Sequence, residues 1–306
     1  MPSTVFELAK RELICPPSFL PDSVQYEVIT GSVAYGCSSD TSDMDIVGFC
    51  IPNKDMIFPH LKGEIEGFGR QKQKFEQYQQ HGVSDPSALS GKGRVYDLTI
   101  YSIVKYFQLV MENNPNMLDT LFCPQRCILT MTTVAGMVRE KRKMFLHRGA
   151  WHKHKGYAFS QLNKIKNRTP DSDSKRGKVV AEFGYDTKYA LHLVRLMSNV
   201  EQILIEGDLD IEKDREMLKA IRRGEWSLEQ VQSYFDSKER DLESLYTSSK
   251  LPHSPDEPSV KNLLLDCLEQ HFGSLSGVVV REDEVLRKMQ EISDICTSLK
   301  VKGFIQ

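Results

Sequence analysis

The sequence has no run of about eighteen apolar residues and no charged-then-apolar segment behind Met1, so neither a membrane-spanning helix nor a secretory signal is expected. A disulfide framework is missing too. The seven cysteines are odd in number and scattered, and the one close pair, Cys123 and Cys127, has no second pair to complete a zinc site. A reducing cytoplasm with free thiols is the expected setting. There is no large excess of either charge: 40 Lys and Arg against 42 Asp and Glu leave −2, so the average neither favours nor excludes a nucleic-acid partner. Internal repeats are absent. What remains, 306 residues that are 40% hydrophobic and 27% charged, describes a globular chain with a sizeable core.

The first third reads as mixed α/β. Tyr26 to Thr30 is a short β-prone run ending at Gly31, and Asp45 to Ile51 is another, stopped by Pro52. A third run, Arg94 to Ile100, alternates, with Val95, Asp97 and Thr99 on one side and Tyr96, Leu98 and Ile100 on the other. The polar, glutamine- and glycine-rich stretch Gly63 to Gly93 reads as a long mobile insertion. From Ser102 the pattern turns helical until Asn113 to Pro115, and further helices are expected at Thr132 to Leu146, Asp186 to Glu206, Ile211 to Arg223, Ser227 to Thr247 and Ser259 to Phe272. The expected organisation is an α/β unit over residues 1–130 and a helical unit over 131–306.

The informative segment is Thr30-Gly31-Ser32, followed after ten residues by Asp43-Met44-Asp45-Ile46. Side chains at i and i+2 on a strand share a face, so Asp43 and Asp45 present two carboxylates side by side. Such a pair repels itself unless a cation neutralises it, and a hard divalent ion with oxygen ligands fits. The Gly-Ser turn offers backbone amides and a hydroxyl to phosphates. Asp97, with apolar neighbours on the opposite face of its strand, is an expensive place for an unpaired charge and supplies a third carboxylate. Asp-x-Asp alone is common in turns and helix starts, and Asp40, Ser42 and Asp43 also read as solvated loop residues. The combination is what stands out.

Gly31-Ser32 followed by Asp43-Met44-Asp45 resembles the signature of the DNA polymerase β nucleotidyltransferase superfamily. Tyr26 to Pro52, Tyr96 to Phe122 with Asn114-Pro115-Asn116, Gly156 to Ile165, Tyr185 to Arg195 and Leu251 to Leu265 resemble one branch of it, the RNA-ligase-associated (RNA-repair) nucleotidyltransferases of bacteria and phages. The resemblance implies an α+β fold, a mixed sheet with flanking helices followed by a helical C-terminal domain. It implies transfer of a nucleoside monophosphate from an NTP to a hydroxyl with Mg²⁺ or Mn²⁺. It places Asp43, Asp45 and Asp97 as catalytic metal ligands and Gly31 and Ser32 at the phosphates. The expected acceptor is an RNA 3′ end. A protein or small-molecule hydroxyl, or a non-catalytic nucleic-acid-binding module on the same fold, is the alternative, though an inactivated relative is expected to lose acids that this chain keeps.

Two further patterns carry charge. Between Arg139 and Lys178 thirteen Lys or Arg stand against three acids, interleaved with Phe145, Trp151, Tyr157 and Phe159, a mixture that suits a nucleic-acid backbone and stacked bases or, equally, a solvated helix face with a basic loop. His147, His152 and His154 sit among these charges, a poor place for a metal cation. In the Asp186 to Glu206 helix, Lys188, His192, Arg195 and Asn199 recur at i, i+4, i+7 and i+11 with no acid among them. A solvent face is the ordinary reading of such a stripe. Because it also resembles the Lys, His and Arg helix of the branch, Lys188, His192 and Arg195 are expected to face an NTP's triphosphate.

Overall fold

The computed structural model describes residues 2–37, 43–70, 73–167, 174–275, 278 and 282–301. Five strands, β1 (Val24–Ile29), β2 (Met44–Cys50), β3 (Gln77–Asp85), β4 (Arg94–Ser102) and β5 (Ile128–Met131), build one mixed sheet in the order β3-β4-β2-β1-β5. Only the β2–β4 pair is parallel, and the other three are antiparallel. Short helices α1 (Thr4–Lys10), α2 (Leu20–Ser23), α3 (Gly31–Ala34), α4 (Lys54–Ile57) and α5 (Ala88–Gly91) punctuate the strands, and α6 (Ile103–Met111) and α7 (Pro115–Leu121) lead into β5. Eight helices follow: α8 (Thr133–Glu140), α9 (Ala150–Asn167), α10 (Lys175–Phe183), α11 (Thr187–Glu206), α12 (Arg215–Arg222), α13 (Leu228–Ser248), α14 (Glu257–Phe272) and α15 (Glu282–Val301). The fold is α+β. No helix among the described residues is long and apolar enough to cross a membrane.

Strand alternation gives the sheet two differently covered faces. Ile46, Cys50, Leu98 and Ile100 point to one face, where Val5 and Leu8 of α1 close a small core. Tyr26, Val28 and Phe49 point to the other, into a large core that runs without interruption into α6 to α9, α11, α13 and α14. The division read at residue 130 therefore falls at the end of β5, while the buried cluster crosses it. Local chemistry sets the element ends. The Ser102 hydroxyl accepts from the Lys105 amide at 3.2 Å to start α6. The Asp186 carboxylate accepts from the Lys188 amide at 2.9 Å to start α11, and Gly207, at φ +60°, ends it. Fully buried Glu27 accepts from the Thr4 and Val5 amides at 2.6 and 3.0 Å, tying α1 onto β1, and burial raises its pKa.

One expectation is corrected. Gly63 to Gly93, read as a long mobile insertion, contains the edge strand β3. An edge strand needs only one covered face, and here that face carries Tyr78, Gln80 and Val83 while Gln77, Gln79 and His81 point outward. A glutamine-rich alternation has too little hydrophobic contrast to register as a strand.

Gly48 sets how closely β1 and β2 approach. A Cβ at this position would lie 1.9 Å from the Tyr26 carbonyl oxygen, a backbone atom that cannot move aside. Gly48→Ala should cost about 3 kcal/mol or more, read as a lowered midpoint in urea denaturation. An unchanged midpoint would mean that the two strands can separate without penalty.

Candidate active site

The parallel ladder pairs Asp45 of β2 directly with Asp97 of β4, so both carboxylates emerge from the same face of the sheet. Asp43 precedes β2 and is exposed. Gly31 closes in from the end of β1. Its φ is +66°, and a Cβ there would stand 2.6 Å from Asp45 Oδ2, so only glycine leaves that carboxylate in place. The Thr30 amide donates to the Asp45 carbonyl at 2.8 Å, holding the turn against the start of β2. Asp97 is braced from the other side by a register shift in β3. There the Gly82 amide donates to Asp97 Oδ1 at 2.7 Å, and His81 Nδ1 lies 3.5 Å from Oδ2.

Burial raises the pKa of Asp45, and the charge of Asp97 pushes it further, with a smaller push from Asp43; the Lys188 ammonium pulls the other way. Loss of water is thus the leading cost of charging Asp45, and the neighbouring acids add to it. Among the described residues no group of three or more His, Cys, Asp or Glu side chains is drawn together tightly enough to hold a metal ion by itself. The donors are instead all-oxygen and under-compensated, which fits a hard cation that completes its shell with substrate phosphates and water.

The stripe on α11 divides. Lys188, in the first turn, is exposed and near enough to Asp45 to act on it. Arg195 is corrected from the expectation that it faces a triphosphate. It is 3% exposed, its guanidinium pairs with buried Asp119 of α7, and it lies 4.5 Å over the Tyr35 ring. Tyr35 donates to the same Asp119 at 2.5 Å, and the Asn199 amide group reaches Asp119 at 3.4 Å. The reason is that α11 is central: α9, α12 and α13 pack around it, so most of its length is buried. Residue spacing cannot distinguish a polar stripe facing water from one facing a buried acid. His192 stays neutral, its pKa held down to about 3 by burial and then by Arg195, Lys188, Arg222 and Arg176.

That crowd of cations includes Arg222, on a helix whose cations the sequence reading passed over. Arg215, Lys219 and Arg222 recur at i, i+4 and i+7 on α12, the same spacing that singled out α11. α12 bridges the two halves of the site. Arg215 packs on Gly36, where a Cβ would come within 2.5 Å of its Cδ, and the Thr187 hydroxyl donates to the Arg222 carbonyl at 3.5 Å. Arg176 lies 4.5 Å over the Tyr189 ring, beside Lys188, and 3.4 Å from Asp186. His81 and Gly82 were missed because they fall in the stretch read as a loop.

The basic centre is also narrower than its sequence. Arg139 donates inward to the Tyr26 hydroxyl and to the Leu121 and Cys123 carbonyls, and Lys143, Lys153 and Lys155 pair with Asp208, Glu112 and Glu239. Phe145 and Trp151 are fully buried, so they cannot stack on a base. His154 is buried against the Ala150 carbonyl, and His147 Nδ1 accepts from the Gly149 amide, which leaves Nε2 to donate to the Met111 carbonyl. Arg168, Asp171 and Asp173, counted in that centre, lie outside the described residues, as do Asp40 and Ser42.

A mixed sheet that brings Gly31, Asp45 and Asp97 together, with a helical region behind it, is the architecture of a polymerase-β-like nucleotidyltransferase. More narrowly, the chain belongs to the RlaP family, described as an RNA repair pathway DNA polymerase beta family, whose model matches residues 20–265. A search of curated proteins finds no match. Among solved structures the chain is similar to a nucleotidyltransferase-like protein from Exiguobacterium sibiricum 255-15, at 10% identity and a TM-score of 0.28, over 98% of this chain and 91% of that one. A likeness that loose assigns no residue.

Two outcomes follow from the electrostatics. Removing Arg195 leaves Asp119 buried and uncompensated, so Arg195→Ala should lose about 3–5 kcal/mol in urea unfolding, whereas Lys188→Ala, at an exposed position, should lose under about 0.5 kcal/mol. Equal losses would contradict the division of the stripe. Asp45 behaves in the opposite sense. Its raised folded-state pKa means that its ionisation costs stability as pH climbs from the ordinary carboxylate range through the raised value. In chelator at about pH 7, Asp45→Asn should therefore melt higher than the unchanged chain, with the advantage gone below about pH 3. A variant that melts lower at neutral pH would show that the Asp45 charge is already compensated.

Proposed function

We propose that this protein transfers a nucleoside monophosphate from an NTP to a hydroxyl, with an RNA 3′ end as the acceptor. The observation that carries this reading is the like-charged pair Asp45 and Asp97, held side by side by the parallel β2–β4 register and pressed by Gly31. The family description supports the RNA side of it.

Asp43, Asp45 and Asp97 would hold the metal, Mg²⁺ or Mn²⁺. When bound, such an ion polarises phosphoryl oxygens and makes an adjacent hydroxyl more acidic. The remaining work falls to the protein's own groups. Gly31 and Ser32 bring backbone and a hydroxyl to the phosphates without a side chain in the way. Lys188, joined by Arg222, sets positive charge against the triphosphate, and neutral His192 between them is available for hydrogen bonding without adding repulsion toward the cations. Arg195 and Asp119 hold Tyr35, three residues beyond Ser32, and so position the turn against α11. In the step itself the acceptor oxygen bonds to the α-phosphorus, the bond to the bridging oxygen breaks, pyrophosphate leaves, and the acceptor proton passes to solvent. No protein atom becomes covalently attached.

Incubating the full chain with Mg²⁺, each labelled NTP in turn and RNA should place label at an RNA 3′ end. Asp45→Asn should abolish the transfer together with any Mg²⁺-induced rise in melting temperature. Lys188→Ala and Arg222→Ala should each weaken NTP binding by about 1–3 kcal/mol. Label recovered on the protein would move the acceptor to a protein hydroxyl. No transfer from any NTP, with an equal melting rise in Asp45→Asn, would sink the reading.

A further inference from the structure

Helix α9 has no acidic residue in its eighteen positions. Its inner side is spent on the core: Trp151, His154, Ala158 and Leu162 are buried. Its outer side is not. Gly156 lies in the middle of the helix with nothing within 4 Å of where a Cβ would be, so no packing inside the chain requires glycine there. Glycine weakens a helix interior, and a helix that keeps one with empty space above it leaves its backbone bare on that side. Tyr157 and Phe159 stand beside the gap, 37% and 54% exposed. Two shallow, open depressions along this one helix share Gly156, Ser160 and Lys164, one reaching Phe159 and the other His152 and Tyr157.

Two contacts tie this face to the elements around the carboxylates. The Lys164 ammonium lies 5.6 Å over the ring of Tyr189, the neighbour of Lys188 at the start of α11. Tyr157 accepts from the Asn114 amide group at 3.3 Å. The Tyr101 phenol, raised first by burial and lowered by Lys105, also feels Tyr157. Tyr101 is four residues along β4 from Asp97 on the same face, roughly 13 Å away at strand spacing. Neither Lys164 nor Lys166 has a carboxylate partner among the described residues, so the face is positive where it is open.

Resting on the reading above, we infer that the outer face of α9 is the track on which the acceptor, a single-stranded RNA, lies. Bases stack on Phe159 and Tyr157, the strand passes the bare backbone at Gly156, and Lys164 meets a phosphate. A positive, acid-free helix with exposed aromatic rings complements a polyanion with unpaired bases better than it complements a peptide or a second copy of a chain whose net charge is near zero. Ser160 lines both depressions as a hydrogen-bonding group for a ribose 2′-hydroxyl.

The test is anisotropy with a labelled single-stranded RNA of about twelve nucleotides, the full chain, and neither NTP nor metal. Gly156→Ala should melt no lower than the unchanged chain yet bind RNA at least about threefold more weakly, because the added methyl strengthens the helix and fills the gap. Phe159→Ala should lose on the order of tenfold affinity at every salt concentration, with the salt slope unchanged. Lys164→Gln should lower that slope by about one phosphate. The same sequence as duplex RNA or as single-stranded DNA should bind more weakly. Wild-type affinity in both Gly156→Ala and Phe159→Ala overturns the assignment, as does equal affinity for the duplex or for DNA. A change in oligomeric mass with Phe159→Ala and none in RNA affinity overturns it in favour of a protein interface. Single-strand binding that follows the expected pattern while no NTP is ever transferred would leave this face standing and remove the proposed activity, so the two can fail separately.

Discussion

The parallel pairing of β2 with β4 is the constraint on which the rest depends. Among the described residues it is the only parallel pair in the sheet, and its register sets Asp45 opposite Asp97. A slip of one residue would turn Asp97 into the small core beneath the sheet and bring Leu98 out to the site, losing the site and part of the core together. Leu98 and Ile100, fully buried beneath α1, therefore hold the carboxylates in place as surely as anything near them. The small core under the sheet and the chemistry above it are two sides of one alternation.

That arrangement carries an electrostatic cost which the protein does not remove. Asp45 is pushed toward its neutral form by burial and by Asp97, and only Lys188 and the exposed His81 lean against this. Further off the opposite excess builds up: burial first, and then Arg195, Lys188, Arg222 and Arg176, keep His192 uncharged. An acidic floor thus lies beside a basic wall, with Lys188 acting on both. Between them the buried pair of Arg195 and Asp119, with Tyr35 bonded to the same acid, ties the turn after Gly31-Ser32 to the central helix. A buried ion pair of this kind adds little net stability, and its use is to permit only one arrangement of the parts it joins.

The basic central segment shows how a sequence average misleads. Its cations go in several directions, some inward to carbonyls, some to acids on neighbouring helices, and a few outward from α9. Among the described residues, one surface left open once the neutralised charges are set aside is the outer face of α9, with a glycine gap and two exposed rings. A linear count of charge places it only loosely.

Local rules were enough to determine a good deal. The Gly-Ser turn, the Asp-x-Asp start of β2, the alternation of β4 and the capped helices at Ser102, Asp186 and Ser227 depend on interactions within a few residues, so they could be read from the chain alone. The family match over residues 20–265 agrees with the class those motifs implied. Three things were beyond local reading. β3 is hidden because an edge strand of glutamines has no hydrophobic period. Arg195 carries the same spacing as Lys188, but it meets Asp119, 76 residues away, so only the folded chain turns one toward solvent and the other into the core. The face of α9 is defined by what does not pack against it. Sequence periodicity reports which residues share a side; which side becomes inside is settled by partners distant in the chain, and that is a property of the tertiary structure.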